Sequence, residues 1–307
     1  MNAPGLLAFP KGYFDDLCEG KRSILSWIDE ASELEIDGIE MYPHFYPKIS
    51  QREIAEIHDY ARSKKLLVPM MCTSPDFTKP RKEEREKEID QMRFWIEVMG
   101  KTDVPGRIKT CRVLSGQRRP GISRSDGESW VIDAIEKLIP CAEENEVHLV
   151  MENHYKDGRW EYPEFAQFPD VYEDIVDSIH SKWFGINFDP SNALVSGQDP
   201  IELLKRFRNR VLTMHASDRH LKPGYTVRDL EKFSGKGYPE ALEHGVIGTG
   251  LINYDEIFRI IRDSEFSGWI SIEDGVNGHE DLVASVSFLR GMLSKYFGEN
   301  ATPRKRH

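Results

Sequence analysis

Four ionisable residues in the second half of the chain each stand at the end of a short apolar run. The runs HLVM, FGINF, VLTM and WISI lead into Glu152, Asp189, His215 and Glu273, respectively. Three carboxylates that converge without a cation repel one another and raise one another's pKa, whereas a dication neutralises them. The pattern therefore predicts that these four residues hold one divalent metal ion.

The donor types narrow the choice of metal. Carboxylate oxygens with one imidazole suit Mn²⁺, Mg²⁺, Co²⁺ or Zn²⁺, and the lack of a thiolate ligand disfavours a structural zinc site. We expect Mn²⁺. Each residue alone has a simpler explanation, because Asp189 begins the sequence DPSN, which is typical of a turn and helix N-cap, and His215 could be a hydrogen-bonded core histidine. Four such residues on four successive strands favour the metal.

His154 is a further candidate for catalysis. It lies two residues beyond Glu152, so alternation along a strand turns both side chains to the same side. It could act as a base beside the metal, or orient a ligand carboxylate from behind. Arg112, with Arg118 and Arg119 in the loop that follows, could anchor a phosphate or an oxygen-rich sugar, although a surface role is equally open for the loop.

These residues must be positioned by a repeating strand and helix pattern. Candidate strands lie at 6–9, 38–41, 66–72, 110–114, 148–153, 184–188, 211–215 and 269–273. Segments with helical spacing follow at 22–34, 49–64, 82–99, 129–145, 171–180, 200–209, 254–264 and 280–295. This alternation predicts a parallel sheet in an α/β protein. Eight strands without a GxGxxG motif after the first favour a closed (β/α)8 TIM barrel over a doubly wound sheet, with catalytic residues at the carboxyl ends of the strands.

Composition excludes several classes of protein. The 307 residues include 52 Asp and Glu against 41 Lys and Arg, and a net charge of −11 disfavours binding to nucleic acid. The four cysteines are widely separated, which predicts reduced thiols. No basic leader and no long apolar run occur, so we expect a cytoplasmic protein that does not enter membranes. We expect one domain over 1–307, ending in a solvated tail at 303–307.

Short motifs along nearly the whole chain resemble the xylose isomerase-like TIM barrels. This superfamily includes sugar phosphate isomerases and epimerases, ketose 3-epimerases and endonuclease IV. The motifs are DGIE ending at Glu40, MENH, NFDPSN, HASD ending at Asp218, GTGLINY and SIE. The resemblance implies the same four metal ligands, and we take Arg112, Asn192 and Asp218 as candidate substrate contacts. Asn192 and Leu221 stand where ketose epimerases usually have a substrate-binding His and Arg, so this chain departs from their pattern.

The resemblance implies a metal-dependent sugar isomerase or epimerase as the first hypothesis. In such enzymes the glutamates at the positions of Glu152 and Glu273 exchange a proton on the two faces of an enediolate that the metal stabilises. A proton beside a sugar carbonyl is too weak an acid for a free carboxylate, and a dication at the carbonyl oxygen lowers that barrier.

A lyase is the second hypothesis. Residues 152–166 resemble the α-subunits of C-glycoside deglycosidases, which act on 3-keto glucosides with a metal and a histidine base. In this chain His154 would be the base, and a group at the β position would leave. That resemblance would add a small partner subunit.

A DNA repair nuclease like endonuclease IV is the alternative from another class. It needs further histidines for additional zinc ions, but strands three and four end in MMC and LSG, and the acidic charge opposes DNA. A non-catalytic scaffold would be expected to lack some of the ligand residues, and all four are present. We therefore expect a sugar or keto-glycoside substrate and a homo-oligomeric enzyme.

Overall fold

The computed structural model describes residues 3–46, 50–233 and 237–298. Eight parallel strands close a barrel in the order β1-β10-β7-β6-β5-β4-β3-β2. The barrel strands are β1 (Gly5–Ala8), β2 (Gly38–Met41), β3 (Leu67–Met71), β4 (Lys109–Val113), β5 (Val147–Glu152), β6 (Phe184–Phe188), β7 (Val211–Ala216) and β10 (Trp269–Ile272). The predicted TIM barrel in one domain is confirmed.

Helices surround the barrel between successive strands. They are α1 (Phe14–Cys18), α2 (Ile24–Ser32), α3 (Gln51–Ser63), α4 (Lys82–Gly100), α5 (Arg124–Glu144), α6 (Pro169–Ser178), α7 (Pro190–Val195), α8 (Pro200–Phe207), α9 (Tyr254–Asp263) and α10 (His279–Phe297). All eight predicted helices are found, and each observed end lies within five residues of the predicted one. Position 49, where one of them was predicted to begin, and the tail at 303–307 lie outside the described residues.

The largest shift is at the start of α5, which begins five residues before the predicted position. The hydroxyl of Ser123 accepts the backbone N–H of Asp126 at 3.0 Å and so caps the helix. The first turn after this cap is polar and charged, so its spacing of apolar residues gives no sign of a helix.

Two short helices and one pair of strands on the loops above the barrel were not predicted. Helices α1 and α7 have five and six residues, respectively. An antiparallel pair of three-residue strands, β8 (Arg219–Leu221) and β9 (Leu242–His244), lies between β7 and α9. All of these elements are too short for a periodic pattern.

The barrel interior has a closed lower end and a polar upper end. Alternation on β10 directs Trp269, Ser271 and then Glu273 to the same side. The buried Trp269 ring packs with Leu7 and Met70, and a Cβ at Gly5 would lie 2.2 Å from the indole. Glycine is therefore needed at position 5 for the ring to fill the barrel floor.

Two further sequence expectations bear on the environment of the protein. The four cysteines are all free thiols. Across the described ranges we find no helix with the length and apolar character needed to cross a bilayer.

Candidate metal centre

The four residues predicted as ligands meet at the upper end of the barrel. Each offers one nitrogen or oxygen atom, and these four atoms all lie within 4.8 Å of one another in a buried cluster. Nδ1 of His215 lies 3.2 Å from Oε1 of Glu152 and 2.9 Å from Oε2 of Glu273. The structure thus brings together side chains from the ends of four neighbouring strands, β5, β6, β7 and β10.

Asp189 is both a helix cap and a member of the cluster. Its Oδ1 accepts the backbone N–H groups of Ser191 and Asn192 at 2.8 and 2.9 Å and the hydroxyl of Ser217 at 2.8 Å. All of these bonds fall on Oδ1, so Oδ2 is left for a cation. The two explanations weighed for this residue are compatible, because the cap of α7 fixes the carboxylate in place.

The cluster is short of positive charge. Burial, reinforced by the charges of Glu152 and Glu273, raises the pKa of Asp189 to about 6. Burial also acts to raise the pKa of Glu152, but His215 and Arg112 outweigh it and lower that pKa to about 2. Burial is likewise outweighed at Glu273, where Lys11 and His215 hold the pKa well below its usual value. A dication among these donors would supply the charge that Asp189 lacks, and the oxygen and imidazole donors fit one.

Glu40 contacts His215 at Nε2, the ring nitrogen that is not directed at Glu152 and Glu273. Nε2 of His215 lies 3.1 Å from both carboxylate oxygens of Glu40, and both side chains are fully buried. In the neutral form of His215, an N–H at Nε2 that donates to Glu40 leaves the lone pair of Nδ1 facing the cluster. Metal-binding histidines commonly have such a carboxylate partner, which fixes the tautomer and the ring orientation.

The thiol of Cys72 also lies close to Glu40 and His215, within 4.8 Å. Burial raises the pKa of this thiol well above its usual value. The cluster of Glu152, Asp189, His215 and Glu273 offers the larger set of donors and is the candidate metal centre.

A cavity of about 310 Å³ opens above the cluster. Aromatic side chains form one part of its wall and charged or polar side chains the other. The aromatic residues are Phe9, Phe14, Tyr42 and Tyr155, and the polar ones include Lys11, Arg112, His154, Asp157 and Glu273. Such a wall suits a polyhydroxylated ring with one apolar face.

His154 lies on this wall, with Glu164 behind it. Nδ1 of His154 is 3.5 Å from Oε2 of Glu164. The other oxygen of Glu164 accepts the N–H and hydroxyl of Ser115 at 2.7 and 2.6 Å. Burial lowers the pKa of His154, but the charges of Glu152 and Glu164 outweigh it and raise the pKa. The ring partner of His154 is thus Glu164 and not one of the four ligand carboxylates.

The three predicted substrate contacts mainly hold other groups in place. Arg112 lines the cavity, but its guanidinium donates to Glu152, to the Thr73 carbonyl at 3.0 Å and to the Ser74 hydroxyl at 2.7 Å. Asn192 donates its side-chain N–H to Oε1 of Glu152 at 2.9 Å.

The carboxylate of Asp218 accepts the backbone N–H groups of residues 248, 250 and 252 at 2.9–3.1 Å. Arg119, in the loop after β4, pairs with Asp76 away from the cavity wall. Substrate binding by Arg112, Asn192 and Asp218 stays a prediction.

Three charged residues near the cluster were given no role from the sequence. Lys11 donates to Oε1 of Glu273 at 2.7 Å, Glu40 supports His215, and Glu164 supports His154. Lys11 could have been found, because it closely follows the first strand at the same end of the barrel. Glu40 lies inside the DGIE motif, but Glu164 has no signal in its spacing.

Comparison with known proteins agrees with this architecture. Residues 28–292 match the family described as xylose isomerase-like TIM barrel. The chain belongs to this family. Among its curated relatives, inosose dehydratase of Bacillus thuringiensis (strain Al Hakam) is 27% identical over 151 residues, which cover 48% of this chain and 47% of that protein. This xylose isomerase-like chain therefore spans about half the length of that relative.

Solved structures share the fold of this xylose isomerase-like barrel. A D-tagatose 3-epimerase-like protein has a TM-score of 0.70 at 19% identity, covering 95% of this chain and 98% of that one. IolI with a bound zinc atom has a TM-score of 0.69 at 16% identity, covering 95% and 99%. The local resemblance to deglycosidase subunits stays a prediction.

Proposed function

We propose that this xylose isomerase-like barrel is a metal-dependent lyase. It would remove the proton beside the ketone of a keto-sugar or cyclic keto-polyol and expel an oxygen substituent from the next carbon. The observation that supports this most is the pair of His154 and Glu164 on the cavity wall, beside glutamates that are already tied to cations.

His154 is the side chain best placed to act as the base. Its Nδ1 lies 3.5 Å from Oε2 of Glu164 and its side chain lines the cavity, so Nε2 is the atom that would take up the proton. Glu164 would stabilise the imidazolium that forms when His154 takes up a proton, and would hold the ring in one orientation. Glu152, in contrast, is paired with Arg112 and would itself hold the metal ion, which makes it a weaker base.

Glu152, Asp189, His215 and Glu273 would hold the metal ion, which we propose to be Mn²⁺, with Mg²⁺, Co²⁺ or Zn²⁺ as alternatives. When bound, the ion supplies positive charge that stabilises the oxygen of the substrate carbonyl as it becomes negative. Arg112 and Lys11 add fixed positive charge to the cavity wall. The aromatic residues there exclude water from the reacting face of the ring.

The comparisons lend support to this choice of reaction. The relative with 27% identity is named as a dehydratase of an inosose, which is a cyclic polyhydroxy ketone, although the match covers about half of each chain. The zinc atom named with IolI shows that a protein of this fold can bind a metal, which is consistent with a metal ion in this chain.

An epimerase or isomerase is the second candidate. Glu152 and Glu273 converge at the same cluster, as the two-glutamate mechanism expected from the sequence requires. A D-tagatose 3-epimerase-like protein is also among the structures with this fold. We place this candidate second because each glutamate is held in an ion pair that weakens it as a base.

The test is to incubate the Mn²⁺-loaded protein in D₂O with ketoses, 3-keto glucosides and inososes. Exchange of carbon-bound hydrogen and loss of water or aglycone are followed in wild type, His154→Gln and Glu152→Gln. We expect His154→Gln to lower elimination by about 10²–10⁴-fold, the usual contribution of a general base. Epimer formation that survives His154→Gln would favour the two-glutamate epimerase instead. No turnover by the metal-loaded wild type on any of these compounds would refute both.

A further inference from the structure

Lys11 and His154 face each other across the mouth of the barrel. In the ring order of the strands, β5 is the fourth neighbour of β1 in either direction, so the two strands are diametrically opposed. Lys11 follows β1 and His154 follows β5, and both side chains line the same cavity. A substrate bound in this cavity would therefore lie between them.

The ammonium of Lys11 has more N–H donors than hydrogen bonds to the described residues. Nζ donates to Oε1 of Glu273 at 2.7 Å, and this is its one hydrogen bond to the residues that the structure describes. An ammonium group has three N–H donors. The side chain is 29% exposed, compared with 8% for Glu273, so the group is anchored on one side and open to the cavity on the other.

We propose that Lys11 is a further catalytic residue, which protonates the departing oxygen on the face opposite His154, so that the elimination is anti. This inference rests on the proposed lyase function. His154 takes the proton from the carbon beside the ketone, and the electron pair of that C–H bond becomes the new C=C bond. The bond to the oxygen on the next carbon breaks with its electron pair, and Lys11 gives that oxygen a proton, so it leaves as water. Solvent then removes the proton from His154 and returns one to Lys11.

The proton transfer from Lys11 is favourable. Water is a far weaker acid than an ammonium group, so a departing hydroxide takes a proton readily from a lysine. Without such a donor, hydroxide is a poor leaving group. An acid is therefore needed at the end of the substrate where the oxygen leaves.

Neighbouring groups are less suited to this role. The guanidinium of Arg112 is held by Glu152, Thr73 and Ser74, and arginine does not give up its proton in proteins. The ring of Tyr155 stacks on that of His154, with centroids 5.3 Å apart, although its hydroxyl lies close enough to Lys11 for the two groups to interact electrostatically. Lys11 is the cationic donor that follows β1, the strand opposite β5.

A leaving-group comparison tests this inference. The variant is Lys11→Met, and the matched control is Lys21→Met, an exposed lysine that follows the same strand and pairs with Glu19. The substrates are an inosose and its analogue with fluoride at the leaving position, since fluoride departs without a proton. Manganese content, exchange of the α-hydrogen with D₂O, loss of water and loss of fluoride are measured for each protein.

We expect Lys11→Met to lose water at least about 100-fold more slowly than wild type, as removal of a general acid does. Its manganese content, α-hydrogen exchange and fluoride loss should stay within about threefold, and Lys21→Met should match wild type throughout. Unchanged water loss in Lys11→Met would overturn the inference. An equal fall in water and fluoride loss would also overturn it, because Lys11 would then act only through Glu273. Absence of exchange and elimination in wild type would instead refute the proposed lyase.

Discussion

Replacement of Glu40 by glutamine tests whether His215 is a metal ligand whose Nε2 is held by the Glu40 carboxylate. Both oxygens of Glu40 lie 3.1 Å from Nε2 of His215, in a site with no exposure to solvent. Glu40→Gln keeps the volume of the side chain but removes the negative charge. The amide oxygen can still accept the N–H, whereas the amide nitrogen cannot. His215 should therefore become a weaker donor at Nδ1 and should be held less firmly.

The expected size of this effect follows from the role of carboxylates behind metal-binding histidines. Loss of such a partner typically weakens metal affinity by about 10–100-fold, or roughly 1.4–2.8 kcal/mol. The cluster ligands themselves are unchanged in Glu40→Gln, so we expect one ion per chain to remain bound at saturation.

The assay is a competition titration of Mn²⁺ and Zn²⁺ against a fluorescent chelator. Glu56→Gln is the matched control, because Glu56 is 60% exposed and pairs with Arg52 on the surface of α3. Glu152→Gln serves as the variant that loses a direct ligand. If Glu152→Gln loses the ion while Glu40→Gln binds it as tightly as wild type, the support of His215 by Glu40 is refuted.

Two further predictions concern stability. Burial lowers the pKa of His58 to about 4, so the unfolded chain takes up a proton that the native state excludes, and the free energy of unfolding should fall by about 3 kcal/mol between pH 6.5 and 4. Urea unfolding of wild type and His58→Gln across this range measures the slope, and an equally steep slope in the variant would contradict the prediction. Asp218→Asn keeps one acceptor oxygen, so it should leave unpaired either the N–H groups of residues 248 and 250, which bond to Oδ2, or that of residue 252, which bonds to Oδ1, at about 1–3 kcal/mol each, and should speed hydrogen exchange of the amides that lose their partner. A raised KM with unchanged exchange would instead support Asp218 as a substrate contact.

Most of the barrel could be predicted because each of its strands is buried on both faces. Such strands appear in the sequence as short apolar runs, as in FGIN before Asp189, and the helices between them have a continuous apolar face. The short helix α7 could not be found in this way. It is set by the cap at Asp189 and the following proline, which resemble those of an ordinary turn.

The residues of the candidate site also differ in whether local sequence could predict them. The four clustered residues belong to strand ends, where local sequence and barrel geometry together determine where a side chain points. Glu164 instead depends on hydrogen bonds to Ser115, 49 residues away, which bring its loop against His154. Asp218 was expected to contact substrate, but its carboxylate lies among amides 30 to 34 residues downstream. Contacts at such distances have no counterpart in local spacing.

The Trp269 ring closes the lower end of the barrel. Its Nε1 donates to the Ile108 carbonyl at 2.8 Å, and the guanidinium of Arg107 lies 4.9 Å from the ring centroid, so the lower end is sealed by anchored side chains. Within the described structure, an ion bound by the four ligands and a substrate bound above them would share the same route to solvent. A bound substrate or inhibitor would then trap the ion, and the rate at which EDTA strips the protein would report how often the cavity is occupied.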